Sequence, residues 1–154
     1  MSRASRFTAA YAVLTAAHEV ADHIVQRDAD AVAKGRDGCE GRAACLRHVS
    51  SYTLTQAFAL AAADRGLGLR LSWRYAAAGL AVSAVTHYAA DRSGGRWDED
   101  PEKQPTRRMV RAAHAIGKGK WLMRDPQAGY RFDQAWHKGW IAAAAAVASM
   151  GREA

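Results

Sequence analysis

The chain has 154 residues, 49% of them apolar and 24% charged, with a net charge of +7 at pH 7 and a pI near 9.8. That length allows one domain over residues 1–154 built on one hydrophobic core, and the composition excludes a disordered tail, a collagen-like fibre and a multi-domain machine. Alanine supplies 36 residues and proline only three. Alanine is the strongest helix former and proline the strongest breaker, so an all-α, compact bundle of about five helices is expected.

In chain order, a first helix is predicted from Arg6 to Gln26, followed by a short one near Ala29–Lys34. Residues 35–41 hold three glycines and read as a loop. A second long helix is expected from Arg42 to Arg65, ending at Gly66 and Gly68. A third starts after Ser72, a good N-cap, and reaches Asp91. Residues 93–101 form the longest predicted loop and the best substrate-facing candidate. A fourth helix begins near Thr106 after Pro105 and fades at Gly117 and Gly119. A fifth runs from Arg131 to Met150 with Gly139 interrupting its interior and Gly151 as a stop. The most apolar runs, Tyr75–Val85 and Trp140–Met150, are short of the ~20 residues that span a bilayer. No signal peptide is read at the N-terminus, and two cysteines are too few for a disulfide scaffold. A soluble cytoplasmic protein with reduced thiols is expected.

Three predicted helices repeat one arrangement. His18 precedes Asp22, His87 precedes Asp91 and Asp133 precedes His137, each by four residues, which puts both side chains of a pair on one helix face. Six histidines and ten aspartates placed at random would give about 0.8 such pairs. Charged groups within apolar helices are costly unless partnered. Each pair can offer a nitrogen and an oxygen to one ion, and His48 in the second long helix adds another ligand. The metal set is therefore His18, Asp22, His48, His87, Asp91, Asp133 and His137, holding one or two divalent ions, zinc or manganese. The competing reading is a purely structural polar core.

The segments Ala17 to Gln26, His48, Thr86 to Asp91 and Phe132 to His137 resemble a family of small helical proteins of bacteria and their phages. That family is classed as a domain of unknown function, with His-x3-Asp and Asp-Gln-x2-His motifs, and is similar to membrane-associated, metal-dependent hydrolase-like proteins. The resemblance implies functional roles for His18, Asp22, Gln26, His48, His87, Asp91, Asp133, Gln134 and His137. Here the helices are less apolar than in membrane-embedded members, and His23 stands where an aromatic or apolar residue is expected.

Between Lys103 and Arg124 lie seven basic residues and no acid. Arg107, Arg111, His114 and Lys118 follow helical spacing and form a candidate anion-binding stripe, with Met109, Ala112, Ala113 and Ile116 expected to pack on the bundle. His23 reads as solvated. Cys39, Cys45 and His48 form only a minor candidate for a structural zinc, and Cys45 reads better as core. Trp136 and Trp140 flank His137 and read as core or interface aromatics that could also wall the site. No phosphate-binding glycine loop, nucleophile elbow or His-Glu-x-x-His motif is present.

The expected function is a metal-dependent hydrolase of an anionic phosphoester. Asp91 or Asp133 is the candidate general base, His48 a ligand or proton donor, and the basic stripe draws in substrate. The alternatives are a non-enzymatic helical protein whose fourth helix meets nucleic-acid phosphates, and a peripheral membrane protein docked by the same helix.

Overall fold

The computed structural model describes residues 1–94 and 97–151. These hold seven α-helices: α1 (Arg3–Val20), α2 (Asp28–Ala33), α3 (Gly38–Leu67), α4 (Trp73–Ser93), α5 (Arg108–Ala115), α6 (Gly119–Arg124) and α7 (Ala128–Ala148). Five have eight residues or more, and the architecture is the all-α compact bundle expected.

α1 starts where the Ser2 hydroxyl accepts the Ser5 amide at 3.1 Å. Its buried positions, Ala10, Leu14, Ala17 and His18, recur at helical spacing and face α3 and α7. The predicted first helix reaches about as far as expected, but its last turn (Ala21–Val25) is a π-helix, closed by the Gln26 amide on the Ala21 carbonyl at 2.9 Å. The wider turn carries Asp22, and such turns recur at functional sites.

The loop expected over residues 35–41 is corrected. α3 begins at Gly38 and takes in Gly41. Gly41 is not a breaker here: a Cβ on it would overlap the Arg36 carbonyl, so glycine lets the turn before α3 lie against the helix. α4 and α7 make the most extensive helix pair. Gly79 of α4 faces Ala144 and Ala148 of α7 so closely that a Cβ would meet the Ala144 carbonyl. Alanine thus lets backbones approach as well as favouring helix. Gly139, expected to interrupt α7, is an exposed interior position of a continuous helix.

The main core joins Ala10 and Leu14, Leu60, Leu69 and Leu71, and Ile141, Ala144 and Ala145. A smaller cluster of Ala113, Leu122 and Ala128 packs with Trp97, Trp121 and Phe132. Gly117, at a φ of +79°, ends the predicted fourth helix where expected, a short α6 that was not predicted follows from Gly119, and the predicted helix is α5 alone. Its buried side is Met109, Val110 and Ala113; Ala112 and Ile116, expected inside, face solvent. Part of the predicted loop over residues 93–101, residues 95 and 96, lies outside the described residues. Among the described residues no helix is long and apolar enough to cross a membrane.

Candidate metal centre

Five elements aim polar groups into one buried volume beside the apolar core. α3 brings His48, α4 brings His87 and Asp91, the π turn brings Asp22, and His18 and His137 enter from α1 and α7. All four of these histidines are at most 3% exposed. The i,i+4 spacing explains each pair's shared direction, and helix packing brings the pairs together.

The tightest group is formed by His48 and His87, whose Nε2 atoms are 2.9 Å apart. Asp22 Oδ1 lies 3.4 Å from the first and 3.6 Å from the second. Asp91 Oδ2 lies 3.5 Å and 3.4 Å from the same two nitrogens. Both carboxylate oxygens are buried and neither has a hydrogen-bond partner. Orphaned carboxylate oxygens are expensive in a protein interior unless a cation meets them.

The surroundings orient these donors. Lys34 Nζ pairs with the other Asp91 oxygen at 2.9 Å. With its amide oxygen turned toward Lys34 and His48, Gln26 accepts from Lys34 Nζ at 3.1 Å and from His48 Nδ1 at 3.2 Å. That places the His48 proton on Nδ1 and leaves a lone pair on Nε2, facing the carboxylates. Tyr52 stacks on His87 with ring centres 3.9 Å apart, and its hydroxyl bonds Ser83 and accepts from Gln56, closing the polar volume off from the core below.

A second group adjoins the first. One ring nitrogen from each of His18, His87 and His137 lies within 4.8 Å of the others. His18 Nε2 meets Gln134 Oε1 at 3.2 Å, while His18 Nδ1 sits 3.6 Å from Asp22 Oδ2 and lacks a hydrogen-bond partner. His137 Nε2 faces Asp133 Oδ2 at 3.4 Å.

Burial lowers the pKa of His18, reinforced by His137 and only partly opposed by Asp22; burial likewise lowers His87 against the pull of Asp91. Both are neutral imidazoles at pH 7, the form that binds metal. His137 is also buried, but the hydrogen bond and charge of Asp133, with Asp91 and Asp22 behind, raise it instead. Burial pushes Asp22 up, yet His48, His87, His18 and Lys34 together hold it at about 2. Asp91 is likewise held well below the usual carboxylate range, burial being outweighed by His87 and Lys34.

No family model matches this chain, and no curated protein or solved structure matches it. The site therefore rests on its own geometry.

The convergence takes in His18, Asp22, His48, His87, Asp91 and His137, six of the seven sequence-predicted ligands. Asp133 is set apart: its carboxylate is 26% exposed and lines a pocket of about 430 Å³ with Lys34, Asp91, Gly94, Trp97 and Tyr130. Trp97 walls this pocket; Trp136 and Trp140, considered for that role, pack on each other at the surface and do not line it. His23 is exposed beside Glu19. Cys39 is exposed, Cys45 is buried with its thiol pushed up to about 12 by burial and the Asp91 charge, and His48 is turned to the carboxylates.

The basic stripe is divided. Arg107 donates to Asp37 Oδ1 at 2.9 Å and to the Gly35 carbonyl at 2.7 Å. His114 packs its ring on Gly119, and Arg111 and Lys118 are exposed. Arg107 and Arg108 instead share a pocket of about 370 Å³ with Arg92, Ser93 and Thr106. Lys34 was absent from the sequence-predicted set. Nothing near it in sequence marks it out, because its partner Asp91 is 57 residues away.

Proposed function

We propose that this protein is a metal-dependent hydrolase of an anionic phosphoester, with one divalent ion held by Asp22, His48, His87 and Asp91. The observation that carries the reading is the pair of buried, partnerless carboxylate oxygens facing two imidazole nitrogens. Ligand bonds of about 2.0–2.1 Å in a tetrahedron put donor atoms roughly 3.3–3.4 Å apart, whereas octahedral neighbours would lie near 3.0 Å. The carboxylate-to-imidazole distances of 3.4–3.6 Å match the tetrahedral spacing and the 2.9 Å between the imidazole nitrogens matches the octahedral one, so zinc is proposed on the donor chemistry of two imidazoles with carboxylates. An ion bound there supplies Lewis acidity toward water and a phosphoryl oxygen.

The chain's own groups do the rest. Lys34 neutralises one oxygen of Asp91 and brings positive charge to the pocket floor, where an anionic substrate gains from it. Asp133 is the carboxylate left facing the pocket, and it serves as general base by taking a proton from the attacking water. His137, whose Nε2 faces Asp133 Oδ2 at 3.4 Å, keeps that carboxylate oriented. Asp91 and His48, the other base and proton-donor candidates, are occupied as ligands in this scheme.

Elemental analysis of untagged protein purified without chelator tests the ion, and a phosphoester panel with and without chelator tests the reaction. Bound zinc and chelator-sensitive turnover that Asp133→Asn cuts by ~10²-fold or more are expected. Metal-free protein of undiminished stability would overturn the reading. The second reading is a structural ion in a nucleic-acid-binding protein. It is favoured by the burial of all four donor groups, and it predicts stoichiometric metal with no turnover on any member of the panel.

A further inference from the structure

Asp22 uses one carboxylate oxygen toward His48 and His87, and its other oxygen faces a different histidine. Oδ2 lies 3.6 Å from His18 Nδ1. That nitrogen is fully buried and has no hydrogen-bond partner. The opposite side of the same ring, Nε2, meets the Gln134 carbonyl oxygen at 3.2 Å, which places the proton on Nε2 and the lone pair on Nδ1. His137 stands beside His18: their ring centres are 5.1 Å apart, and one nitrogen of His137 lies within 4.8 Å of nitrogens of His18 and His87. His137 Nε2 faces Asp133, the carboxylate–histidine pairing that fixes metal-ligating imidazoles elsewhere. A second set of buried imidazole donors, His18, His87 and His137, therefore stands beside the first, and the outer oxygen of Asp22 faces the His18 of that set.

We infer that the site holds two divalent ions, the second bound by His18, His137 and the outer oxygen of Asp22, with Asp22 bridging the pair. This rests on the one-ion reading above and extends it. The second ion also accounts for the partnerless His18 Nδ1, which an ion at the first position alone leaves unexplained. Charge agrees with the assigned substrate class. Two divalent ions and Lys34 carry five positive charges against the three carboxylates of Asp22, Asp91 and Asp133. A phosphomonoester dianion makes up the difference, and two-metal sites suit phosphoryl transfer because they clamp both attacking and leaving oxygens.

The test titrates the metal-free full chain with Co2+, which is paramagnetic and reports both occupancy and proximity. Two equivalents should bind by elemental analysis, and the electron paramagnetic resonance signal should rise through the first and weaken through the second as the ions couple. His137→Ala and His18→Gln should each reduce binding to one equivalent with an uncoupled signal, circular dichroism showing the helices retained. If either variant fails to fold, wild-type stoichiometry and coupling decide alone. One equivalent in the wild type overturns the second ion and leaves the one-ion reading standing. Two uncoupled equivalents overturn the bridge at Asp22. No binding overturns both readings.

Discussion

Asp91 divides its two oxygens between Lys34, at 2.9 Å, and the imidazole pair, and Gln26 holds both Lys34 and His48. Neither Lys34 nor Gln26 lies in the proposed ligand set, so their substitution separates orientation from ligation. Gln26→Leu should weaken zinc binding by about 10- to 100-fold without abolishing it, measured by competition with a chromophoric chelator. His87→Ala removes a ligand and should lose the ion outright; equal behaviour of the two variants would refute the tautomer argument for His48. The pH dependence follows from Asp22, whose folded pKa of about 2 lies below its ordinary 3.8. A depressed carboxylate contributes stability that is fully present above its unfolded pKa and is lost as pH falls through the folded value. Metal-free protein should therefore lose stability between about pH 4 and pH 2, and Asp22→Asn should flatten that part of the curve in denaturant titrations. The histidine and aspartate pairs were legible because their spacing is local. Lys34 was not, since nothing within one helix reports a partner 57 positions on. Gln26 and Gln134 entered only through the family resemblance, and the tautomers they impose become visible with the packing.

At the scale of elements, glycine divides into two physical cases that sequence treats alike. Gly79 sits where α4 crosses α7 and has no room for a methyl group. Gly139 lies on the exposed side of α7 with nothing within 4 Å of a Cβ. Gly79→Ala should destabilise the fold by about 1–3 kcal/mol through overpacking. Gly139→Ala should stabilise it by roughly 0.5–1 kcal/mol through helix propensity. Chemical denaturation midpoints check both signs; a neutral Gly79→Ala would show that the α4–α7 contact relaxes freely. The same ambiguity made residues 35–41 read as a loop when Gly41 lies within α3, tucked under the Arg36 carbonyl. Helix locations were legible from alanine content and from Ser72, which precedes α4 as expected. The π turn at Ala21–Val25 was not, because its i→i+5 closure is set by packing, and no propensity distinguishes it from one more α turn.

Across the whole molecule, the charge of +7 and the buried carboxylates answer different questions. The sequence makes Arg107, Arg111, His114 and Lys118 one continuous basic stripe, but the bundle spends Arg107 on Asp37 and the Gly35 carbonyl and lays His114 on Gly119. Arg111 and Lys118 remain exposed. A duplex bridged by the full stripe of three permanent cations would show a salt slope near ~3, and one meeting only the exposed two a slope near ~2, since each neutralised phosphate contributes about 0.9. A small phosphoester entering the Asp133 pocket releases few condensed counterions, so its turnover should vary weakly with salt. The hydrolase reading therefore predicts shallow salt dependence of turnover and only weak duplex binding, with a slope of about 2 that Arg111→Glu with Lys118→Glu removes. Neither reversal should alter metal content, because neither residue belongs to the buried histidine–aspartate cluster. Tight duplex binding with a slope of ~3 or more, lost on the double reversal while zinc stays bound, would instead favour the structural-ion, nucleic-acid-binding reading. Fluorescence anisotropy on a labelled duplex across a salt series, run beside the phosphoester panel on the same preparation, makes that choice.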